Sequence, residues 1–274
     1  MDNRKIGVFD SGLGGLTVVR EIRELMPEES IVYFGDTARL PYGAKSKESI
    51  IGFSHQIMHF LLEKDVKAVI VACGTASSNA LSEIRAAYDI PILGVVEPGA
   101  KAAVQKSKTG HIGVLGTSAT IRSKAFETLI KEQKDVIVTS MACPLFVPLV
   151  ESGWFDDPIT RQVVKRYLDP IKGKVDTLVL GCTHYPLLKD AIRQEMGENV
   201  SLINVSREAV KEMKAYLASH ELSAAPGQGG VSSYEFYASD SIESFRDFCG
   251  TVLGERRLKV DYVNIEQYPS CGNV

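Results

Sequence analysis

Residues 6–25 read IGVFDSGLGGLTVVREIREL, and this stretch decides the fold class. Its first four residues are apolar without alternation, which is typical of a strand covered on both faces in a parallel sheet. A glycine-rich turn follows. The next apolar residues recur at the spacing of one helix face, at Leu16, Val19, Ile22 and Leu25. Strand, turn and helix in this order predict the first unit of an α/β fold.

The same alternation continues along the chain. Short apolar runs occupy residues 31–34, 68–72, 112–115, 136–138, 178–180 and 202–203, and longer segments separate them. From about residue 232 the chain reads as strand, helix (242–249) and strand, after a stretch rich in Ala, Gly and Pro (224–230) that predicts a flexible loop. We therefore predict a doubly wound α/β protein with mainly parallel sheets.

The chain also repeats itself. Residues 5–8 (KIGV) match residues 111–114 (HIGV), and residues 69–75 (VIVACGT) resemble residues 178–183 (LVLGCT). Both matches have an offset of about 107 residues, which predicts a duplicated βα unit. Cys73 and Cys182 then stand at the carboxyl ends of equivalent strands. If the two halves pack about a pseudo-twofold axis, these cysteines face each other across a cleft.

Composition limits the class of protein. The 274 residues are enough for about two domains, and 45% of them are hydrophobic. The net charge of −3 is not that of a dedicated nucleic-acid binder. Five cysteines without a C-x-x-C pair favour a reducing compartment. No signal peptide or membrane span is recognisable, so we predict a cytoplasmic protein that binds neither nucleic acid nor membrane.

The carboxyl ends of the predicted strands carry small, hydroxyl and thiol residues. In open α/β sheets, ligands bind beyond these ends. The segments are 10–15 (DSGLGG), 35–37 (GDT) with 41–43 (PYG), 73–75 (CGT), 116–120 (GTSAT) and 181–186 (GCTHYP). They predict a site for a small polar ligand held by backbone N–H groups.

Cys73 and Cys182 are the strongest candidates for chemistry. A lone buried cysteine is usually only a small apolar side chain. Two cysteines at equivalent strand ends, each closely followed by Thr, instead favour reactive thiols whose pKa a helix N-terminus lowers. Cys143, Cys249 and Cys271 lack this setting, and we interpret them as structural or incidental.

Three further ionisable residues have two interpretations each. His184, two residues beyond Cys182, is either a general acid/base or a buried histidine with satisfied hydrogen bonds. Asp10 is either the N-cap of the following helix or a group that orients a substrate ammonium. Glu151 is either an ordinary exposed helix carboxylate or part of the site.

Two cofactor classes fit poorly. The Gly12-Leu13-Gly14-Gly15 turn suggests a dinucleotide site, with Asp36 at the ribose position. Thr17 replaces the third glycine of that motif, however, and Asp10 would repel a pyrophosphate. Cys73, Cys182 and His184 are zinc-ligand types, but the closely spaced pairs of structural zinc sites are absent from the sequence. We therefore predict no metal and no cofactor.

Together these segments resemble the glutamate racemase family of cofactor-independent amino-acid racemases. The resemblance rests on residues 6–17, 35–37, 41–43, 72–76 and 181–186, in the order of the family. It implies two pseudo-symmetric α/β domains with the active site between them. The C-terminal segment returns to the first domain, so the predicted domains are residues 1–97 with 208–274, and residues 98–207.

The resemblance also implies roles for single residues. Cys73 deprotonates D-glutamate and Cys182 deprotonates L-glutamate, Asp10 and His184 each assist the thiol on their own side, and Glu151 lies near the second thiol. The implied substrate-binding residues are Asp10, Ser11, Tyr42, Gly43, Gly74, Thr75, Thr183 and His184. A homodimer that supplies D-glutamate for peptidoglycan is implied as well.

One departure keeps other functions open. The family usually has Asn directly after the first cysteine, where this chain has Gly74. The missing amide affects substrate affinity more than chemistry, because a backbone N–H or a water can replace it. The alternatives are a racemase of aspartate or another small acidic compound, and a non-catalytic regulatory protein on the same scaffold.

Overall fold

The structure, a computed structural model, describes residues 1–225, 232–255 and 257–271. Most of the predicted loop at 224–230 lies outside these residues. The strands are β1 (Lys5–Asp10), β2 (Ile31–Gly35), β3 (Val66–Val71), β4 (Ile92–Gly94), β5 (His111–Gly116), β6 (Ile137–Ala142), β7 (Thr177–Leu180), β8 (Ser201–Asn204), β9 (Tyr234–Ala238) and β10 (Val260–Tyr262).

Helices connect these strands. They are α1 (Leu16–Leu25), α2 (Lys47–Glu63), α3 (Gly74–Asn79), α4 (Leu81–Ala87), α5 (Val96–Lys106), α6 (Ser118–Ser123), α7 (Ala125–Gln133), α8 (Phe146–Glu151), α9 (Pro158–Leu168), α10 (Lys189–Met196), α11 (Val205–Ser219) and α12 (Ile242–Leu253). Short 3₁₀ turns lie at Thr37–Arg39, Tyr42–Ala44, Tyr185–Leu188 and Ile265–Gln267. Within the described ranges, no helix combines the length and apolar composition needed to cross a bilayer.

The strands form two parallel sheets, which confirms the predicted fold class. The first sheet has the order β10-β9-β2-β1-β3-β4 and the second has the order β6-β5-β7-β8. The order β2-β1-β3-β4 corresponds to β6-β5-β7-β8, so the repeat in the sequence is a repeat of topology. β3 and β7 are equivalent strands, and they lead into Cys73 and Cys182. The C-terminal β9 and β10 extend the first sheet, while the domain boundaries themselves remain a prediction.

A shared apolar core holds the two halves together. In β1, Ile6 and Val8 belong to one buried cluster and Phe9 to another, because successive strand residues point to opposite faces. The first cluster continues without a break into the second sheet. Helix α11 packs on both α1 and α5 at this junction. The two halves therefore share one close-packed apolar interior.

A buried ion pair anchors the strand that leads to the first thiol. The Lys67 ammonium on β3 is 2.6 Å from Glu29 Oε2, and both side chains are almost fully buried. It also donates hydrogen bonds to the carbonyl oxygens of Asp2 (2.7 Å) and Leu222 (2.8 Å). This one amine therefore joins the N-terminus, the chain after α11 and β3.

We expect Lys67→Met to lower the free energy of unfolding by about 3–5 kcal/mol, because it leaves the Glu29 carboxylate buried without its cation. Urea denaturation measures the change. The control is Lys101→Met, since Lys101 is exposed and lies 4.0 Å from Glu212; its cost should stay below about 1 kcal/mol. Equal costs for the two variants would contradict the assignment.

Candidate active site

A cavity of about 330 Å³ lies where the carboxyl ends of the two sheets meet. It has contributions from the carboxyl ends of β1, β2, β3, β5, β6 and β7 and the segments that follow them. Every site residue named from the sequence lies on its wall: Asp10, Ser11, Tyr42, Gly43, Cys73, Gly74, Thr75, Glu151, Cys182, Thr183 and His184. The structure thus brings both strand-end cysteines to one cavity.

Cys73 is a buried thiol whose hydrogen-bond partners are neutral. It occupies the N-cap position of α3 and accepts the N–H of Ala76 (Sγ–N 3.5 Å), while its S–H donates to Ser11 Oγ (3.4 Å). Burial, reinforced by the nearby Asp10 carboxylate, raises its pKa to about 12. The expectation that a helix N-terminus lowers this pKa is therefore wrong for Cys73, because desolvation of the thiolate outweighs the helix.

Cys182 has a cation beside it. Its Sγ is 3.8 Å from His184 Nδ1, and His184 Nε2 is 3.1 Å from Glu151 Oε1. Burial alone lowers the pKa of His184, but its hydrogen bonds with Cys182 and Glu151 outweigh burial and raise the pKa to about 10. The imidazole is therefore protonated at neutral pH. Glu151, although exposed at the end of α8, lines the cavity and contacts this imidazole.

Asp10 lies between the two thiol environments. It is not the N-cap of α1, a position that Gly15 occupies. Its carboxylate instead accepts the N–H of Gly12 (3.0 Å) and the hydroxyl of Thr183 (3.4 Å). Burial raises its pKa, and the charge of His184 opposes that rise. Asp10 thus ties the first half of the site to the second.

The glycine-rich turn serves packing rather than phosphate binding. A Cβ on Gly14 would overlap the His184 imidazole and lie 2.6 Å from Thr183 Oγ1, so only glycine lets the second half come this close. At the start of α1, the Thr17 hydroxyl donates to the carbonyl oxygen of Thr183 (3.0 Å). The turn therefore positions the loop that carries Cys182.

The loop with Tyr42 and Gly43 is held from behind. The Tyr42 hydroxyl donates to the buried carboxylate of Asp36, which also accepts from Arg39 Nε (2.7 Å) and Ser239 Oγ (2.9 Å). Asp36 is thus a structural anchor for this loop. Because the Tyr42 hydroxyl is already engaged, we expect Tyr42 and Gly43 to contact substrate through their backbone groups.

Sequence reasoning missed part of the wall. The hydroxyl of Thr75 is 2.9 Å from that of Thr117, which is 3.0 Å from that of Thr120, so a hydroxyl chain crosses between the halves. The strand-end pattern predicts that residues 116–120 lie near the ligand, but it does not predict a role for any one of them. Cys143, interpreted as structural, also lines the cavity, and burial raises its pKa to about 12. The other additional wall residues are Leu40, Pro41, Ala44, Ser118, Pro144, Val147 and Pro148.

Among the described residues, no group of three or more His, Cys, Asp or Glu side chains is arranged to hold a metal ion. The polar groups of the cavity are instead thiols, hydroxyls, two carboxylates and one imidazolium. This set can bind a small zwitterion and move protons.

Comparison with known proteins identifies the family. Residues 6–213 match the Asp/Glu/hydantoin racemase family. The chain belongs to this family. A glutamate racemase of Lactococcus lactis subsp. lactis is 45% identical over 269 residues, which cover 98% of each chain.

Solved structures agree with this assignment. The crystal structure of a glutamate racemase isoform from Bacillus anthracis superposes with a TM-score of 0.91 at 39% identity, over 96% of this chain and 98% of that one. The glutamate racemase of Francisella tularensis in complex with D-glutamate gives 0.90 at 36% identity, over 98% and 100%. The two-sheet architecture of this racemase is thus the fold of those enzymes.

The charge of His184 is directly testable. Because its pKa in the folded protein exceeds the usual 6.5, the imidazolium contributes stability that is complete below about pH 6.5 and is lost as pH rises through about 10. NMR titration of the His184 ring should therefore show an inflection near pH 10. Glu151→Gln should lower that pKa, since it removes the carboxylate charge 3.1 Å from Nε2.

The matched control is Glu127→Gln, because Glu127 pairs with Lys131 on the surface of α7. It should leave the His184 titration where it is. An unshifted His184 pKa in the Glu151 variant would remove Glu151 from the site.

Proposed function

We propose that this racemase interconverts L- and D-glutamate by proton transfer at the α-carbon, with Cys73 and Cys182 as the two bases. The observation that carries the proposal is the placement of both strand-end thiols on one small cavity. Racemisation must remove a proton from one face of the carbon and return one to the other, and a single fixed base serves both faces poorly. Two thiols from pseudo-symmetric halves supply one base for each face.

Each direction uses both sulfurs. In the L-to-D direction, the Cys182 thiolate takes the α-proton, the C–H electron pair stays on carbon, and the Cys73 thiol delivers its proton to the opposite face. In the reverse direction the sulfurs exchange roles. A thiolate on Cys182 is paired with the His184 imidazolium, whereas one on Cys73 is supported by Ser11 and the Ala76 N–H.

The remaining wall residues hold the substrate and its developing charge. Asp10 is placed to orient the α-ammonium, and the hydroxyls of Ser11, Thr75 and Thr117 are donors for the carboxylates. Preorganised donors in a cavity that excludes water stabilise a carbanion-like state far better than water does. This chemistry requires no cofactor, as the resemblance to the family implies.

We expect Cys73→Ser and Cys182→Ser each to reduce racemisation in both directions by at least about 10³-fold, because each direction needs both an acid and a base. A coupled assay for L-glutamate formed from D-glutamate, and its reverse, measures the loss. Each variant should still exchange the α-hydrogen of one enantiomer with D₂O through its remaining thiol.

Cys271→Ser is the matched control, since Cys271 is an exposed thiol that does not line the cavity. It should keep full turnover. The two-base proposal fails if the Cys73 and Cys182 double variant turns over like the wild type.

Substrate choice has its own test. Aspartate is one methylene shorter than glutamate, and a methylene in a fitted pocket is worth roughly 10- to 200-fold in kcat/KM. We therefore expect kcat/KM for D-glutamate to exceed kcat/KM for D-aspartate by a factor in that range. Polarimetry on a panel of acidic D-amino acids measures both. Equal rates would support a broader acidic-substrate racemase, and turnover of neither would support a regulatory protein.

The biological setting follows from the same proposal. D-glutamate formed by this racemase would supply peptidoglycan synthesis, in the cytoplasm and from a homodimer. These three statements rest on resemblance to the family. Sedimentation velocity tests the dimer, and rescue of a D-glutamate auxotroph tests the role in the cell wall.

A further inference from the structure

Gly74 and Gly181 form a backbone contact between the two halves of the site. A Cβ on Gly74 would lie well under 3.0 Å from the Gly181 carbonyl oxygen, and Cβ atoms in proteins essentially never come that close to another heavy atom. It would also lie 3.5 Å from the Gly181 carbonyl carbon and 3.7 Å from Cys182 Cα. The end of β3 and the end of β7 therefore touch where no side chain fits.

The second strand end has little room to retreat. The Gly181 N–H donates to the Leu115 carbonyl oxygen (2.8 Å) on the neighbouring β5. The Cβ position of Gly181 lies 2.6 Å from that same oxygen and 2.9 Å from the Phe126 ring. A side chain at residue 74 must therefore displace the Gly181–Cys182 backbone or open the cleft.

We propose that Gly74 is a positioning residue that sets the separation of the two sulfurs. This inference rests on the proposed two-base function. Each thiol is one residue away from the contact, since Cys73 precedes Gly74 and Cys182 follows Gly181. A displacement at the contact thus reaches both sulfurs directly through the backbone. The departure from the family's Asn is, in this chain, a requirement of close approach.

Separation of the sulfurs affects inversion more than deprotonation. Inversion needs both sulfurs within reach of one carbon, and a misplacement of about 1 Å costs on the order of 100-fold. Exchange needs only one sulfur. The thiolate takes the α-proton, the electron pair stays on carbon, the thiol trades its proton for a deuteron of D₂O, and that deuteron returns to the same face. The ratio of exchange with retention to inversion therefore reports the separation.

The test compares Gly74→Ala and Gly74→Asn with Gly52→Ala in D₂O, starting from each glutamate enantiomer. We expect both Gly74 variants to lose about 100-fold in kcat/KM for inversion, and their exchange-to-inversion ratio to rise at least about tenfold. Gly52→Ala is the matched control, because among the described residues a Cβ there meets only Ser270, at ordinary distances of 3.5 and 3.7 Å. It should keep the wild-type rates and ratio.

A second variant covers loss of folding. In Gly74→Ala/Phe126→Leu, the smaller side chain gives Gly181 room to move, and the same rise in ratio is expected relative to Phe126→Leu alone. An unchanged exchange-to-inversion ratio in folded Gly74 variants overturns the positioning role. Failure of both Gly74→Ala and Gly74→Ala/Phe126→Leu to fold also overturns it, because Gly74 would then be a requirement of folding. In either case, normal racemisation by the wild type and Gly52→Ala leaves the proposed function intact. Absence of glutamate racemisation in the wild type would instead refute the proposed function.

Discussion

Removal of water from one small cavity is the constraint on which the rest of the site depends. Asp10, Cys73 and His184 are 1%, 5% and 3% exposed, so burial destabilises the charged form of each side chain unless a partner stabilises it. Burial raises the pKa of the first two, which favours their neutral forms. His184 remains charged because Cys182 and Glu151 stabilise the imidazolium more than burial destabilises it. The pKa shifts in the site thus follow from burial and, at His184, from two specific neighbours.

The two halves share a topology but provide different surroundings for their thiols. After β3, the chain enters α3 at once, with Cys73 as the N-cap, so this sulfur meets backbone and hydroxyl donors. After β7, the chain runs through Thr183 and His184 before a 3₁₀ turn begins, so Cys182 meets a charged ring. Duplication therefore accounts for the placement of both sulfurs on the wall of one cavity. The residues that follow each strand account for the different surroundings of the two sulfurs, which are backbone and hydroxyl donors at Cys73 and the His184 ring at Cys182.

Much of this arrangement could be predicted from the sequence, and the limits have physical reasons. Continuous apolar runs indicate buried parallel strands, and the repeat indicates which strand ends are equivalent. The positions of Cys73 and Cys182 at equivalent strand ends can therefore be predicted from the sequence. The link from Glu151 to His184 depends on packing within the second half, and the contact of Thr75 with Thr117 depends on packing between the halves. No local periodicity encodes either. The pKa of Cys73 was mispredicted because a helix N-terminus is visible in the sequence, whereas the extent of desolvation is not.

Glycine is the residue type that lets the halves meet closely enough for this constraint to operate. At Gly14 the missing side chain admits His184 and Thr183, and at Gly74 it admits the backbone of Gly181. Side chains at these points would hold the halves apart, and the added space would fill with water. Water would compete for the hydroxyl and N–H donors and weaken their effect on charge that develops during proton transfer. Close backbone contact at the glycines therefore strengthens the effect of these donors on the developing charge, because it leaves no space for water. The glycines act in this way without contacting the reacting atoms.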